Sequence, residues 1–301
     1  MISARLNKIF KIIFWSFLIW IIARIFFFQI LQVPTASMKN TLNEGDFIFV
    51  NKWAYGPRIP ITPLSLPFNE DLYLDFHLPY KRIPGYSSPE RNDVIVFNLP
   101  SEILRPVDKR KDYVKRCIAL AGDTLLIKNG IVFINGKPII ESEEILFQYQ
   151  KISIQGEKTG GYLTSEEADS IYKKGFNVNR FTYPKDHYHP AIFPHSSFIR
   201  WNPDHFGPYY IPGKGVTIQL NSGNIVLYKD IIQEHEHNTV SQLGSKILIN
   251  GKEAESYTFT MDYYFALGDN RYNSIDSRYF GCIPENHLIG QVPFVIYSPE
   301  K

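Results

Sequence analysis

Residues 9–33 read IFKIIFWSFLIWIIARIFFFQILQV, and Pro34-Thr35-Ala36-Ser37-Met38 follow directly. A helix of this length, at about 1.5 Å rise per residue, covers the roughly 30 Å hydrocarbon core of a bilayer. The weak point is Arg24, but it lies past the middle of the run, where a long side chain can reach the interface. The run therefore predicts a transmembrane anchor, which places the hydroxyl of Ser37 where the chain leaves the membrane.

Two alternatives compete with an anchor. A cleaved signal peptide has the same basic start and would end near Thr35 and Ala36, but its apolar region is only about 7–15 residues long. A buried helix of a soluble core does not suit so continuous an apolar sequence. The charges indicate the orientation, because Arg5, Lys8 and Lys11 precede most of the run and mark the cytoplasmic side. We predict a single-pass protein of the cytoplasmic (inner) membrane with an extracytoplasmic domain.

The composition indicates an ordered β-protein. Among 301 residues, 15% are aromatic and 20 are prolines, which suits strands and loops better than disorder. The net charge of +2 is well mixed, so no nucleic-acid partner is expected. The two cysteines, Cys117 and Cys282, are either buried free thiols or one disulfide.

The order of apolar runs and turns predicts a mainly β fold, in which a second β-domain is inserted into the first. Strands are expected at 47–50, 94–97, 113–120, 263–267 and 294–297, and the first part ends in a meander with Asn-Gly turns at 129–130 and 135–136. The predicted segments are a cytoplasmic tail 1–8, an anchor 9–33, a catalytic β-domain 34–140, an insert 141–257 and a return 258–301.

Two segments lie outside this strand pattern. Residues 57–90 hold seven prolines and predict an irregular excursion, either packed on its own domain or forming a flap near the membrane. Within the insert, 165–174 predicts a helix with Thr164 as its N-cap, and 231–235 predicts a short helical turn. VFINGKPI at 132–139 and ILINGKEA at 247–254 form a weak repeat of one hairpin sequence.

A serine hydroxyl needs a base before it can act as a nucleophile. Histidine is the usual base, but none falls in residues 33–38, 112–116 or 268–278. The absence of GxSxG and HExxH weakens the interpretation as a hydrolase with a nucleophile elbow or as a zinc protease. A lysine can serve as the base if it is neutral at the working pH. Lys115 lies in the predicted strand 113–120 among apolar neighbours, where burial would lower its pKa, while Arg116 would point to the opposite face. The ordinary alternative is a lysine on a solvated face.

The most specific stretch is residues 268–278, GDNRYNSIDSR. So many polar residues at fixed spacing predict a site, and a hydrogen-bonded turn in which Asp276 pairs with Arg278 is the structural alternative. Together with Ser37-Met38 and Tyr113-Val114-Lys115-Arg116, this stretch resembles the bacterial type I signal peptidases, which are membrane-bound serine endopeptidases with a Ser/Lys dyad.

The resemblance implies the roles of the site residues. Ser37 is the nucleophile, Lys115 the general base, Ser274 the residue that hydrogen-bonds and orients the lysine, and Asp276 and Arg278 a supporting ion pair. The oxyanion hole would use the Ser37 N–H and the Thr35 hydroxyl. The substrate, an exported preprotein with a signal peptide, would add as a strand along Gln32, Val33, Pro34, Asp112, Tyr113 and Val114.

The sequence departs from the family pattern at Asn40, where proline is usual, and at Ala119 and Ala121. Two other hypotheses remain: a different Ser/Lys peptidase, such as a self-cleaving repressor or a pilus-processing relative, and a non-enzymatic membrane-tethered β-protein in an envelope assembly. We expect no cofactor and no metal, because the histidines at 187, 189, 195, 235 and 237 lack the carboxylate or cysteine spacing of a tetrahedral site and suit surface or loop positions.

Overall fold

The computed structural model describes residues 2–66, 69–152 and 158–299. Its helices are α1 Ile2–Phe26, α2 Lys52–Tyr55, α3 Ser165–Lys173, α4 Ile225–Asp230 and α5 Ser277–Phe280. Its strands are β1 Phe28–Gln32, β2 Phe47–Asn51, β3 Ser65–Leu66, β4 Asn69–Tyr73, β5 Val94–Asn98, β6 Asp112–Ala119, β7 Thr124–Lys128, β8 Ile131–Ile134, β9 Lys137–Pro138, β10 Phe147–Ile152, β11 Lys158–Leu163, β12 Asn177–Arg180, β13 His205–Tyr210, β14 Thr217–Gln219, β15 Val240–Leu243, β16 Lys246–Ile249, β17 Lys252–Glu253, β18 Ser256–Thr258, β19 Tyr263–Leu267, β20 Ile283–Pro284 and β21 Leu288–Tyr297.

The apolar N-terminal run forms α1, and its stretch Arg5–Phe26 is long and apolar enough to cross a membrane. The prediction of an anchor over 9–33 is wrong at its C-terminal end, where the helix stops at Phe26. The helix already begins at Ile2, so residues before 9 continue it, and Phe28–Gln32 is strand β1, which pairs with β2 from Phe28↔Asn51 to Gln32↔Phe47. The sequence could not show where the helix gives way to the strand, because the residues of β1 are as apolar as those of α1. They form a strand only because their backbone groups pair with β2.

The mainly β prediction is confirmed. The largest sheet has seven strands in the order β1-β2-β21-β5-β6-β19-β20, and its neighbouring strands pair antiparallel. All five strands predicted at 47–50, 94–97, 113–120, 263–267 and 294–297 lie in it. Strand β6 pairs with β5 on one side and with β19 on the other, so the strand that carries Lys115 is an inner strand of this sheet.

The predicted meander is wrong where it joins β6 to β7. Strands β7, β8 and β9 form a separate sheet with β13 from the insert, and Leu125, Ile127 and Val132 pack with Phe206 and Tyr209 in one core. The change of sheet therefore comes at about residue 124, not at the predicted boundary of 141. The apolar pattern of β7 could not reveal that its partner lies about 80 residues later in the chain.

The turn chemistry follows the prediction. Asn129, Asn135 and Asn250 all have φ near +50° and each is followed by glycine with positive φ, as two-residue hairpin turns require. The weak repeat therefore builds the same hairpin twice, β8–β9 and β16–β17. Helix α3 begins after Thr164, which forms a capping box with Glu167.

The excursion at 57–90 is irregular apart from the short hairpin β3–β4. Its base is tied to the large sheet, because Arg82 donates to the carbonyls of Gly56, Glu285 and Leu288. In the middle of the excursion, Leu74 and Phe76 are exposed. Cys117 and Cys282 are both buried and free, so the disulfide alternative is wrong.

Candidate active site

Ser37 lies in a single 3-10 turn, Ala36–Met38, between β1 and β2. The turn is held from the other end of the chain: Asn270 donates its backbone N–H to the Ser37 carbonyl at 3.1 Å and its side-chain amide to the Ala36 carbonyl at 3.1 Å. Met38 is buried beneath it. The Gly-Asp-Asn stretch thus fixes the backbone on both sides of the Ser37 hydroxyl.

Lys115 reaches Ser37 from strand β6. Its Nζ donates to Ser37 Oγ at 2.7 Å and to the Val114 carbonyl at 2.8 Å, and only 4% of the residue is exposed. Burial lowers the pKa of Lys115 to about 8, while Asp276 and Asp269 act in the opposite direction. The prediction of a buried lysine is confirmed by the geometry, and the solvated-face alternative is wrong.

Ser274 does not make the bond predicted for it. Its hydroxyl is buried and has no hydrogen-bond partner among the described residues, while Lys115 bonds to Ser37 and Val114 instead. Ser274 nevertheless lines the same groove as Lys115 and packs against Gly268. Motif spacing placed this serine correctly, but the direction of its hydroxyl depends on a rotamer that spacing does not determine.

Asp276 and Arg278 form the expected ion pair, with Nη2–Oδ2 at 2.8 Å and Nε–Oδ1 at 2.9 Å, both side chains being almost fully buried. Burial by itself raises the pKa of Asp276, but the Arg278 charge and the N–H groups of Gly268 and Arg278 outweigh it and hold the pKa below its usual value. Asp276 also caps α5. The pair and the cap together make the motif a rigid support.

A second buried ion pair was missed by the sequence reasoning. Arg116 binds Asp269 with both Nε and Nη2, at 2.8 and 2.6 Å, and Thr41 donates to the same carboxylate at 2.6 Å. Strand alternation, which turns Arg116 away from Lys115, was the available signal. As a consequence, Thr41, which lies only four residues after Ser37, is anchored to the Gly-Asp-Asn stretch.

A groove of about 380 Å³ passes over Ser37. Five of the six predicted substrate-binding residues line it: Val33, Pro34, Asp112, Tyr113 and Val114. Gln32 does not, because it is paired with Phe47 in the β1–β2 ladder. Four further residues line the groove and were not predicted: Tyr272, Asn273, Ile275 and Tyr279. They come from the turn that Asp276 and Arg278 support.

The Thr35 hydroxyl donates to Ser37 Oγ at 3.3 Å, so both residues predicted for the oxyanion hole lie beside each other at the groove. Their N–H and O–H groups are the kind of donors that stabilise a developing oxyanion. Thr35 itself is exposed, and a substrate in the groove would cover it.

The prediction for the histidines is wrong at His235. This ring is buried and lies 5.2 Å from that of His287, and its pKa falls to about 3 because of burial, with Arg110 and His237 adding to the effect. Ile231 and Ile232 in the same helical turn are also buried. The spacing of His235 and His237 could not indicate that this turn packs into the interior. In the part of the chain that the structure describes, no group of His, Cys, Asp and Glu residues is arranged to hold a metal ion.

The comparisons with known proteins show the family of the chain. The family model described as signal peptidase, peptidase S26 matches residues 6–189 and 211–297, so the chain belongs to this family. It is a serine peptidase, and the non-enzymatic alternative is therefore disfavoured. The gap in the match falls inside the predicted insert.

Two bacterial relatives cover nearly the whole chain. Signal peptidase I of Helicobacter pylori is 29% identical over 291 residues, which are 94% of this chain and 80% of that protein. Signal peptidase I of Buchnera aphidicola subsp. Schizaphis graminum is 27% identical over 290 residues, 96% of this chain and 74% of that protein. A solved signal peptidase I from Enterococcus faecalis covers 68% of this chain and 97% of its own, with 17% identity and a TM-score of 0.29.

Proposed function

We propose that the protein removes N-terminal signal peptides from exported preproteins, with Ser37 as the nucleophile and Lys115 as the general base. The observation that carries the proposal is the 2.7 Å separation of Lys115 Nζ and Ser37 Oγ in a nearly buried site. With a pKa of about 8, roughly a tenth of the lysine is neutral at pH 7. That fraction supplies a base where no histidine contacts the serine.

In the proposed reaction, the neutral Lys115 amine takes the Ser37 proton as Oγ attacks the scissile carbonyl. The oxyanion is bound by the Ser37 N–H and the Thr35 hydroxyl. The Lys115 ammonium then gives its proton to the leaving amine, which leaves an acyl-enzyme on Ser37. A water, deprotonated by the same lysine, attacks the ester and regenerates the serine.

Ser274 fits a supporting role in the second half of this reaction. Once Ser37 is acylated, the lysine loses the acceptor that it has in the free enzyme. The Ser274 hydroxyl is buried, has no other partner among the described residues and lines the same groove. We propose that it takes the place of Ser37 as a hydrogen-bond partner of Lys115 while the attacking water is activated.

The substrate would enter as an extended strand between Val33-Pro34 and Asp112–Val114, the two groove edges, with its backbone bonding to them. The resemblance implies small side chains at the first and third positions before the cut. The position of Ser37 relative to α1 supports cleavage close to a membrane, where a signal peptide emerges.

The membrane placement is part of the same proposal: α1 spans the cytoplasmic membrane with its N-terminus inside, and the domain lies outside. Beside α1, strands β1, β2 and β21 carry an exposed aromatic face in which Phe28 stacks on Phe49 and Phe49 on Phe294, with Phe27 stacked on Trp53 at the helix end. Aromatic rings are favoured at the membrane–water interface, so this face would rest on the lipid surface.

Cleavage of a preprotein with an Ala-x-Ala end tests the chemistry. Ser37→Ala and Lys115→Ala are each expected to abolish processing by the detergent-solubilised protein, while Lys111→Ala, an exposed lysine that precedes the same strand, keeps it. Thr35→Val should lower kcat by about 10²–10³, the usual loss for one oxyanion donor, and Thr35→Ser should restore it. Processing by Ser37→Ala or by Lys115→Ala would end the proposal.

The orientation is tested separately with single added cysteines, because the two native thiols are buried and do not react with a polar reagent. In cells whose cytoplasmic membrane is intact, a maleimide that does not cross this membrane should label Lys185→Cys. It should not label Ser3→Cys. The opposite pattern would reverse the proposed topology while leaving the dyad untouched.

A further inference from the structure

A second cavity lies where the last turns of α1 meet the domain, apart from the groove over Ser37. Its volume is about 370 Å³, within the range of about 300–1,000 Å³ typical of small-ligand sites. One wall is α1, a second is the start of the 57–90 excursion, and a third is the segment 108–112 that leads into β6. Neither the dyad nor its supporting ion pairs contribute to it.

Positive side chains dominate the lining. Five cations and two carboxylates face the cavity: Arg24, Lys52, Arg58, Lys109 and Arg110 against Asp108 and Asp112. Both carboxylates accept hydrogen bonds from neutral donors, and their two charges offset only part of the charge of the five cations. Asp108 accepts the N–H and hydroxyl of Thr62 at 2.8 and 3.1 Å, and Asp112 accepts the amides of Gln29 and Asn98 at 3.0 and 2.9 Å. The cavity therefore has an excess of positive charge.

Two of the cations, Lys52 and Arg58, are held in place by neutral acceptors. Lys52 donates to the Arg24 carbonyl at 2.9 Å, and Arg58 donates to Asn98 Oδ1 at 2.6 Å and to the Asn286 carbonyl at 2.9 Å. Burial first, and then the charge of Arg58, lower the pKa of Lys52 to about 8; Asp112 partly opposes this and Arg24 adds to it. Such clustered cations repel one another, and a bound anion would relieve that repulsion.

The remaining walls are apolar. Trp20, Ile21 and Ile25 come from the last turns of α1, and Ile59 and Ile61 lie across from them. The stretch of α1 that can span a bilayer ends at Phe26, so these residues would lie where the acyl chains of one leaflet meet its headgroups. A free phosphate would use the cations alone, whereas a phospholipid would use both parts of the cavity.

We infer that this cavity binds the phosphate headgroup of an anionic phospholipid, with the acyl chains running along α1. The inference rests on the membrane anchoring in the proposed function. An anionic headgroup suits the lining better than a zwitterionic one, because choline would bring a further cation among Lys52, Arg58 and Lys109. Burial against a low-dielectric wall strengthens each bond to the phosphate.

The site is coupled to the strand of Lys115 through Asp112. Gln29 on β1 and Asp112 on β6 both line the cavity and bond to each other, and Asp112 is also an edge of the substrate groove, three residues before Lys115. A lipid bound here would hold β1 and β6 together at the entrance of the groove. Anionic lipid is therefore expected to raise the rate of preprotein cleavage as well as to bind.

The experiment uses the full chain in nanodiscs of phosphatidylcholine with or without phosphatidylglycerol. The protein is then released into detergent, and native mass spectrometry identifies the lipids that it retains. Wild-type protein should retain one phosphatidylglycerol in preference to phosphatidylcholine. Lys52→Gln and Lys109→Gln should each weaken retention about tenfold, which corresponds to about 1.4 kcal/mol, and should lose the rise in cleavage rate. Lys111→Gln, which removes a neighbouring exposed lysine outside the cavity, should behave as wild type.

Equal retention of phosphatidylglycerol by wild type and by both cavity variants would overturn the inference, as would equal retention of the two lipids. Displacement of the lipid by millimolar inorganic phosphate would assign the site to a free anion, and displacement by a signal peptide would assign it to substrate; either result contradicts a lipid site. Failure of the anchor itself is distinguishable, because the chain would then not enter nanodiscs of either composition.

Discussion

Gly268 lies directly beneath Ser274 and the Ser37 backbone: a Cβ atom at position 268 would collide with Ser274 Oγ and come within 2.7 Å of the Ser37 carbonyl oxygen. The absence of a side chain at this one position thus lets the GDNRYNS stretch close on the nucleophile turn. Any substitution must push the Ser274 side chain and the Ser37 backbone away from residue 268, and so disturb the turn that carries the Ser37 hydroxyl.

Gly268→Ala is therefore expected to cut kcat by about 100-fold, since a displacement of about 1 Å in a reacting group has that effect. The glycine has no positive φ, so the loss would come from the collision and not from backbone strain. Preprotein cleavage measures it. Gly161→Ala, where a Cβ meets nothing within 4 Å, is the matched control; equal activities of the two variants would contradict this view of the site.

The rate of cleavage is expected to rise with pH through about 8, because the proposed base is the neutral form of Lys115 and the pKa of Lys115 is about 8. The profile of kcat/KM against pH in detergent measures this limb. Lys52 has a pKa of about 8 as well but lies outside the dyad, so Lys52→Gln should leave the limb in place. If the limb disappeared in Lys52→Gln, the titrating group would be Lys52 and not Lys115, and the prediction would be contradicted.

Asp276→Asn is expected to lower the free energy of unfolding by about 3–5 kcal/mol, because it leaves the Arg278 charge buried without its partner. Denaturant unfolding of the solubilised protein measures it. The control is Glu253→Gln at the exposed Lys246–Glu253 pair, where the loss should stay within about 1 kcal/mol. Since the pKa of Asp276 is lowered in the folded state, the wild type should also lose this contribution when the pH falls below about 4.

His235 and His287 make stability fall on the acidic side of pH 6.5. Burial lowers the pKa of both rings, which face each other and Arg110. They are neutral in the folded state while the unfolded chain takes up protons below about 6.5, so each costs about 1.4 kcal/mol per pH unit there. His235→Gln should remove one of these contributions from the slope between pH 6 and 5, measured by denaturant unfolding.

His77 supplies the comparison for that experiment, because it lies at an exposed position in the 57–90 excursion. His77→Gln is expected to keep the wild-type slope. A His235→Gln variant with the same slope as the wild type would mean that this ring is not kept neutral by the fold.

The amino-acid sequence by itself was enough to identify an apolar helix, the strands of the main sheet, the Asn-Gly hairpins and the Thr164 cap. These depend on local chemistry: side-chain period, turn residues that accept positive φ, and capping groups within four residues. The three motif stretches also predicted the contact of Lys115 with Ser37 and the pairing of Asp276 with Arg278, because residue types at fixed spacing are visible without coordinates.

Only the tertiary structure decided the features that need partners distant in the chain. The helix ends at Phe26 because the following residues form β1, which pairs with β2, and β7 pairs with β13 from the insert. Arg116 forms an ion pair with Asp269. The Ser274 hydroxyl has no hydrogen-bond partner among the described residues. Backbone pairing, burial of charge and rotamer choice are each set by groups tens to hundreds of residues away, and no local pattern records them.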